Sequence, residues 1–99
     1  MEILQHHHVP VKSPDVAWQS VDGEAVILHI SGKTLRGLNA VGSHVWRLID
    51  GNRTLAEIAQ EVSGDFSRGE ETVFEDVKTF LNELLGKNMV TFSDVTTHQ

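Results

Sequence analysis

Cysteine is absent from this sequence of 99 residues, which excludes disulfide bonds and catalysis by a thiolate. The sequence also contains no run of about 18 apolar residues, the length that a membrane-spanning helix needs. Residues 1–8 have neither a basic segment nor a continuous apolar one, so a secretory signal peptide is not expected. These absences favour a single small cytoplasmic domain that keeps clear of membranes.

Basic residues are scarce as well: eight Lys and Arg stand against 14 Asp and Glu, a formal net charge of −6. Nucleic acids and anionic lipids bind cationic surfaces, so this balance disfavours both as partners. The bases concentrate in residues 33–53, where Lys33, Arg36, Arg47 and Arg53 accompany a single acid, Asp50. This central region is suited to an acidic peptide, and the acidic C-terminal half to a basic partner.

The centre of the chain predicts two amphipathic helices joined by a very short connection. Asn39 is a good N-cap, and the apolar residues that follow recur at helical spacing. Asp50-Gly51 ends the first helix, because glycine accepts the left-handed backbone that often follows a helix. Thr54 and Glu57 form a capping box at the start of the second, which is expected to run to Val62.

Short strands are predicted on the N-terminal side of these helices. The segments 16–21 and 25–30 flank Asp22-Gly23, a strong hairpin signal, and a second turn at 31–33 leads to a brief third strand at 34–38. This third strand is expected to be an edge strand, and Gly37 within it is expected to weaken it or to introduce a bulge. The strands need a cover, which the helices supply.

A third helix is predicted over residues 70–85, where apolar residues share one face and acidic residues crowd the first turns. A short strand or docked tail is expected at 89–92. The fold class is therefore α+β: a three-stranded antiparallel meander followed by three helices, similar to a winged helix-turn-helix. Residues 1–14 are interpreted as a flexible N-terminal segment, 15–92 as the domain and 93–99 as a flexible tail.

Two apparent sites have simpler explanations. His6, His7 and His8 are consecutive, so in an extended chain their side chains alternate and do not converge on one metal ion. Ser43 and His44 are adjacent on a helix, about 100° apart, and no nucleophile elbow is present, which argues against a hydrolase. Catalytic residues, metal ions and cofactors are therefore not expected.

A longer set of residues carries a family resemblance. It comprises Leu38-Asn39, Gly42, Trp46, Leu48-Ile49-Asp50-Gly51, Thr54, Glu57-Ile58-Ala59, Asp76-Val77, Phe80-Leu81, Leu84 and Met89-Val90. Over about residues 15–92 this pattern resembles the PqqD family. These are small domains also described as recognition elements for ribosomally made, post-translationally modified peptides.

The resemblance implies a non-catalytic peptide-binding chaperone. In such domains the leader of a precursor peptide adds as a strand to the third strand, and the domain presents it to a modifying enzyme, often a radical-SAM protein. One candidate pathway is pyrroloquinoline quinone synthesis. Carried onto this chain, the edge consists of Lys33, Thr34, Leu35, Arg36, Gly37 and Leu38. The groove wall consists of Val73, Val77, Lys78 and Leu81.

The residues offer independent physical support for this site. An edge strand presents unpaired backbone N–H and C=O groups to any extended peptide, and Lys33 and Arg36 are placed to pair with its acidic residues. An exposed edge also permits pairing between copies, so both a monomer and a homodimer remain open. The alternative function is an acidic winged-helix module that docks on a protein, with DNA binding disfavoured by the acidic helices.

Overall fold

The computed structural model describes residues 7–66 and 69–94 of the chain. It confirms the predicted mixed α+β order, in which antiparallel strands precede three helices, shows a strand where a short strand or docked tail was expected at 89–92, and adds a strand at the N-terminal end. In chain order the elements are β1 (His8–Lys12), β2 (Val16–Val21), β3 (Glu24–His29), β4 (Thr34–Gly37), α1 (Ala40–Leu48), α2 (Leu55–Phe66), α3 (Glu70–Gly86) and β5 (Val90–Asp94).

The meander is an antiparallel sheet of order β2-β3-β4. Asp22 and Gly23 have positive φ angles of 54° and 84°, the left-handed backbone that a tight hairpin between β2 and β3 requires. β3 alternates strictly, because Ala25 and Ile27 are buried while Val26 and Leu28 face outwards. One face of the sheet therefore packs on the helices, and the other is open to solvent.

The helix starts follow the capping signals in the sequence. The Asn39 side chain accepts a hydrogen bond from the Gly42 N–H at 2.8 Å, which begins α1. Glu57 accepts from the Thr54 N–H at 2.8 Å and Thr54 Oγ1 accepts from the Glu57 N–H at 3.1 Å, completing the capping box. α2 continues through Ser63 and Gly64 to Phe66, beyond the predicted end at Val62.

The helices bury one core against β3. Trp46 is fully buried at its centre. Ser43, on the same helix, is also fully buried, and its Oγ accepts from the Ala25 N–H at 2.7 Å and donates to the Leu38 carbonyl at 3.4 Å. This hydroxyl fixes α1 to β3 and to the residue that follows β4.

The N-terminal segment differs from its prediction as a flexible lead-in. β1 pairs with β5 in an antiparallel ladder that runs from His8↔Asp94 to Lys12↔Val90. Val9 is 1% exposed, so this segment contributes to the interior. A strand of five residues containing Pro10 gives a weak local pattern, and its partner lies at the other end of the described chain. The predicted tail 93–99 begins inside β5, and its part beyond Asp94 lies outside the described residues.

Lys12 connects the small β1–β5 sheet to α1. Its Nζ donates to the carbonyl of Ile49, the C-cap of α1, at 2.9 Å. The same atom lies 5.1 Å from the ring centroids of both Trp18 and Trp46. Trp18 is 40% exposed and meets Trp46 edge to face, so the ammonium group is held between two aromatic rings.

Candidate functional site

β4 is an edge strand whose free backbone groups can be assigned from its pairing with β3. The Leu38 N–H donates to the Ala25 carbonyl at 2.9 Å, and the register continues as Ile27↔Arg36 and His29↔Thr34. Residues of an antiparallel strand bond alternately to one neighbour and to the other side. The N–H and C=O groups of Leu35 and Gly37 therefore point away from β3, towards the open edge.

The side chains of β4 alternate between the two faces of the sheet. Leu35 lies on the outer face and is 68% exposed, whereas Arg36 lies on the face that carries the helices. Gly37 pairs in register with Val26, so β4 has no bulge there, one of the two effects expected of this glycine. The edge is consequently regular from Thr34 to Gly37.

The residues that flank β4 limit the length of this edge. Lys33 has a φ of 53°, so it belongs to the turn and not to the strand. Leu38 is 5% exposed and belongs to the core. Of the predicted edge residues, those from Thr34 to Gly37 form the strand, and Lys33 and Leu38 mark where it begins and ends.

An ion pair joins β4 to α3. Arg36 Nη1 lies 2.8 Å from Glu83 Oε2, and the two side chains are 25% and 46% exposed. Glu83 occupies the last turn of α3, where the helix carbonyls make a carboxylate electrostatically unfavourable. Arg36, predicted to be available to an acidic peptide, is thus already paired within the chain.

A pocket of about 250 Å³ lies beyond the end of β4, between α1 and α3. At Gly42, a Cβ would lie 3.2 Å from Asn39 Oδ1 and 3.4 Å from Phe80. The absence of a side chain there lets Phe80 of α3 approach α1 closely. The lining of the pocket is apolar except for Asn39 and Asp76. Its other members are Val41, Gly42, Val45, Val62, Val73, Val77 and Phe80.

The structure places the predicted α3 residues at different depths. Val73 and Val77 line the pocket and are buried, at 1% and 2% exposure. Leu81 is fully buried in the core, and Lys78 is half-buried and does not line the pocket. The stripe of α3 that faces β4 and α1 instead contains Asp76, Phe80 and Glu83. These residues were missed, although their spacing of i, i+4 and i+7 puts them on one face.

The hydroxyl of Ser43 and the carboxylate of Asp50 have structural roles. Ser43 Oγ is occupied by two backbone groups of β3 and the β4 end. Asp50 Oδ1 accepts from the N–H groups of Asn52 and Arg53, and Asp50 Oδ2 pairs with Arg53 at 2.8 Å. Within the described residues no three His, Asp or Glu side chains form a cluster that could hold a metal ion.

Lys12, Asp15 and Asp50 have shifted pKa values. Burial lowers the pKa of Lys12, partly opposed by the nearby Asp50 carboxylate. A side-chain hydrogen bond from Ser31 lowers the pKa of Asp15, and the backbone N–H of Asn52 lowers that of Asp50. The edge and the pocket combine free backbone groups, the Arg36–Glu83 ion pair and a largely apolar lining. No helix in the described part of the chain is long and apolar enough to cross a membrane.

Comparison with known proteins identifies relatives for most of the chain. A family model described as coenzyme PQQ synthesis protein D (PqqD) matches residues 24–90. The PqqA binding protein of Gluconobacter oxydans (strain 621H) is 40% identical over 47 residues, which are 48% of this chain and 49% of that protein. The matched stretch therefore spans about half the length of this curated relative.

Two solved structures have a similar fold. The structure of TbiB1 in complex with the TbiA(beta) leader peptide is 32% identical, with a TM-score of 0.76, and the match covers 81% of this chain and 93% of that one. The lasso peptide synthetase B1 complexed with the leader peptide has a TM-score of 0.75 at 15% identity, over 83% of this chain and 96% of that one. At 15% identity the second likeness concerns the fold alone.

Proposed function

Since the chain belongs to the PqqD family, we propose that it binds the leader of a ribosomally made precursor peptide by strand addition to β4. The proposal has support from relatives, because one is named for binding PqqA and another, 32% identical, is a complex with a leader peptide. The bound peptide forms the fourth strand of the sheet, next to Leu35 and Gly37.

The observation that carries this proposal is the open edge of β4. Two residues, Leu35 and Gly37, direct both of their backbone polar groups away from β3. An extended peptide satisfies these groups without any rearrangement of the domain, so main-chain bonds supply affinity for many sequences.

Side-chain selection takes place on the helix-facing side of the added strand. Alternate peptide side chains point towards α3 and meet the Arg36–Glu83 pair and, beyond it, the pocket lined by Val73, Val77 and Phe80. An apolar side chain suits this pocket. Of the predicted groove residues, Leu81 and Lys78 then do not contact the peptide. Their contribution is to hold α3 in place beside it.

The domain, residues 15–92 with β1 packed against it, acts without catalysing a reaction. It holds the leader and presents the precursor to a modifying enzyme in the cytoplasm, of the radical-SAM type by family resemblance, with pyrroloquinoline quinone synthesis as a candidate pathway. The engagement of the Ser43 hydroxyl and the Asp50 carboxylate in holding the fold supports this role.

Amide NMR titration with PqqA and with the TbiA(beta) leader tests the proposal. We expect shifts at residues 34–38 and along the Asp76–Glu83 stripe. Leu35→Pro removes an N–H that points to the open edge and leaves the β3–β4 bonds in place, so the domain should stay folded and lose binding. Leu35→Ala keeps the donor and is the matched control.

Two results would count against the proposal. Undiminished peptide binding by a folded Leu35→Pro protein rules out strand addition at β4. The absence of shifts with either peptide, in a well-folded sample, favours the alternative that the domain docks on a protein surface.

A further inference from the structure

The Arg36–Glu83 pair lies where a strand added to β4 would bring its side chains. The backbone groups of Arg36 point towards β3, so a peptide residue opposite Arg36 forms a non-hydrogen-bonded pair with it. In such pairs the side chains stand closest together, at a Cα separation of about 4.5 Å. The facing peptide side chain is therefore directed onto the guanidinium group of Arg36.

We propose that this position selects an acidic peptide side chain, and that Glu83 is an internal competitor for it. This inference rests on the proposed strand addition at β4 and names the class of peptide that the site prefers. A carboxylate opposite Arg36 is a favourable cross-strand pair, whereas a Lys or Arg there meets a like charge at the shortest distance.

The placement of Glu83 fits the role of a competitor. It lies in the last turn of α3, which contains no basic residue, so the helix itself disfavours its charge. Its side chain is more exposed than that of Arg36, 46% against 25%. When a peptide carboxylate binds Arg36, Glu83 turns to solvent with little loss, and the arginine, which is anchored on the sheet, remains in place.

The pocket beyond β4 defines the second element of the preference. A peptide residue opposite Leu38 faces the helices, as does the residue opposite Arg36, because side chains on one face recur every second residue. The peptide side chain opposite Leu38 therefore points into the pocket, where Val41, Val45 and Phe80 provide an apolar lining. The preferred peptide thus carries an acidic residue separated by one residue from an apolar one.

Selection from a displayed library of random linear peptides tests this preference without a known ligand. The wild-type protein is compared with the doubly substituted Arg36→Glu, Glu83→Arg protein, which keeps an ion pair of reversed polarity. We expect the wild type to enrich Asp or Glu two positions from an apolar residue, and the reversed protein to enrich Lys or Arg at the same place.

Single substitutions make the test independent of whether the reversed protein folds. Glu83→Gln should raise the affinity for the selected acidic peptides by up to about fivefold, the effect of an exposed ion pair. Glu75→Gln removes the same charge at an exposed site on α3 and is the matched control, for which we expect a smaller change.

The outcomes separate the two proposals. If peptides are enriched but show no acidic preference, or if Glu75→Gln matches Glu83→Gln, the charge selection is wrong and strand addition stands. If the folded wild-type protein enriches no peptide, strand addition itself fails, and the charge selection fails with it.

Discussion

The ammonium group of Lys12 lies 5.1 Å from the ring centroid of Trp46, the fully buried tryptophan at the centre of the core. The lysine belongs to β1, at the N-terminal end of the described chain, and the tryptophan to α1. Their contact, with the hydrogen bond to Ile49, fixes the β1–β5 sheet to the helix that borders the pocket. A segment remote from β4 therefore stabilises the helix that begins beside it.

Replacing Lys12 by Met should lower the free energy of unfolding. The substitution preserves length and apolar contact but removes a hydrogen bond and a cation–π contact, a loss of about 1–2 kcal/mol. Chemical denaturation followed by tryptophan fluorescence measures it. Lys78→Met, at a half-buried site on α3, is the control for charge removal, and an equal loss in both proteins would refute the role of Lys12.

The same lysine should make stability depend on alkaline pH. Burial lowers its pKa in the folded state below the usual 10.5, so the unfolded chain binds more protons in the window just below 10.5. Stability contributed by this group therefore rises with pH through that window and is constant at neutral pH. The free energy of unfolding of the wild type should therefore rise relative to that of Lys12→Met as pH increases through this window, and parallel curves would contradict the prediction.

The acid limb of the stability curve should depend on Asp50. Hydrogen bonds from Asn52 and Arg53 lower its pKa below the usual 3.8 in the folded state. The stabilisation is present above the unfolded pKa and is lost as pH falls through the folded one. Asp50→Asn retains an acceptor but cannot titrate, so the decline of stability in acid should be shallower, as measured by thermal unfolding at successive pH values. An unchanged slope would contradict this.

Ser43→Ala should lower the free energy of unfolding more than most substitutions that remove a single atom. It leaves the buried N–H of Ala25 without a partner, at a cost of about 1–3 kcal/mol. Ser20→Ala, at an exposed position of β2, should change stability by less than about 0.5 kcal/mol. Urea denaturation of the two variants gives the comparison, and equal effects would show that the Ser43 hydroxyl carries no special weight.

Alanine should have opposite consequences at two helical glycines. A Cβ at Gly64 meets no atom within 4 Å, so Gly64→Ala should stabilise α2 by up to about 1 kcal/mol through helix propensity. At Gly42 the same Cβ presses on the Asn39 cap and on Phe80, at 3.2 and 3.4 Å, so the gain should be cancelled or reversed. Melting temperatures measure both effects, and an equal rise would show that Phe80 yields freely.

Much of the fold could be predicted because its signals are local. The Asn39 cap, the Thr54–Glu57 box and the Asp22-Gly23 turn each depend on residues a few positions apart, and all three form as predicted. β1 could not be predicted in this way, since its formation depends on β5 at the far end of the chain.

The site is less accessible from the sequence than the fold. Apolar periodicity identifies Val73, Val77 and Leu81 as the inner face of α3, but it does not show which flank of that face borders the open edge. Glu83 was missed for this reason, because its meaning comes from Arg36, a residue distant in the sequence and brought close by the fold. Such pairings require the tertiary structure.

The pairing of His8 with Asp94 has a practical consequence for engineering. Backbone positions opposite each other in an antiparallel ladder are only about 5 Å apart, so a short linker can join these two residues and new ends can be opened in an exposed turn. The turn at Asp22-Gly23 is one such place. Because the same two residues lie close together, the domain can also be inserted into a surface loop of a host enzyme without distorting either protein. The host enzyme would then carry the β4 edge.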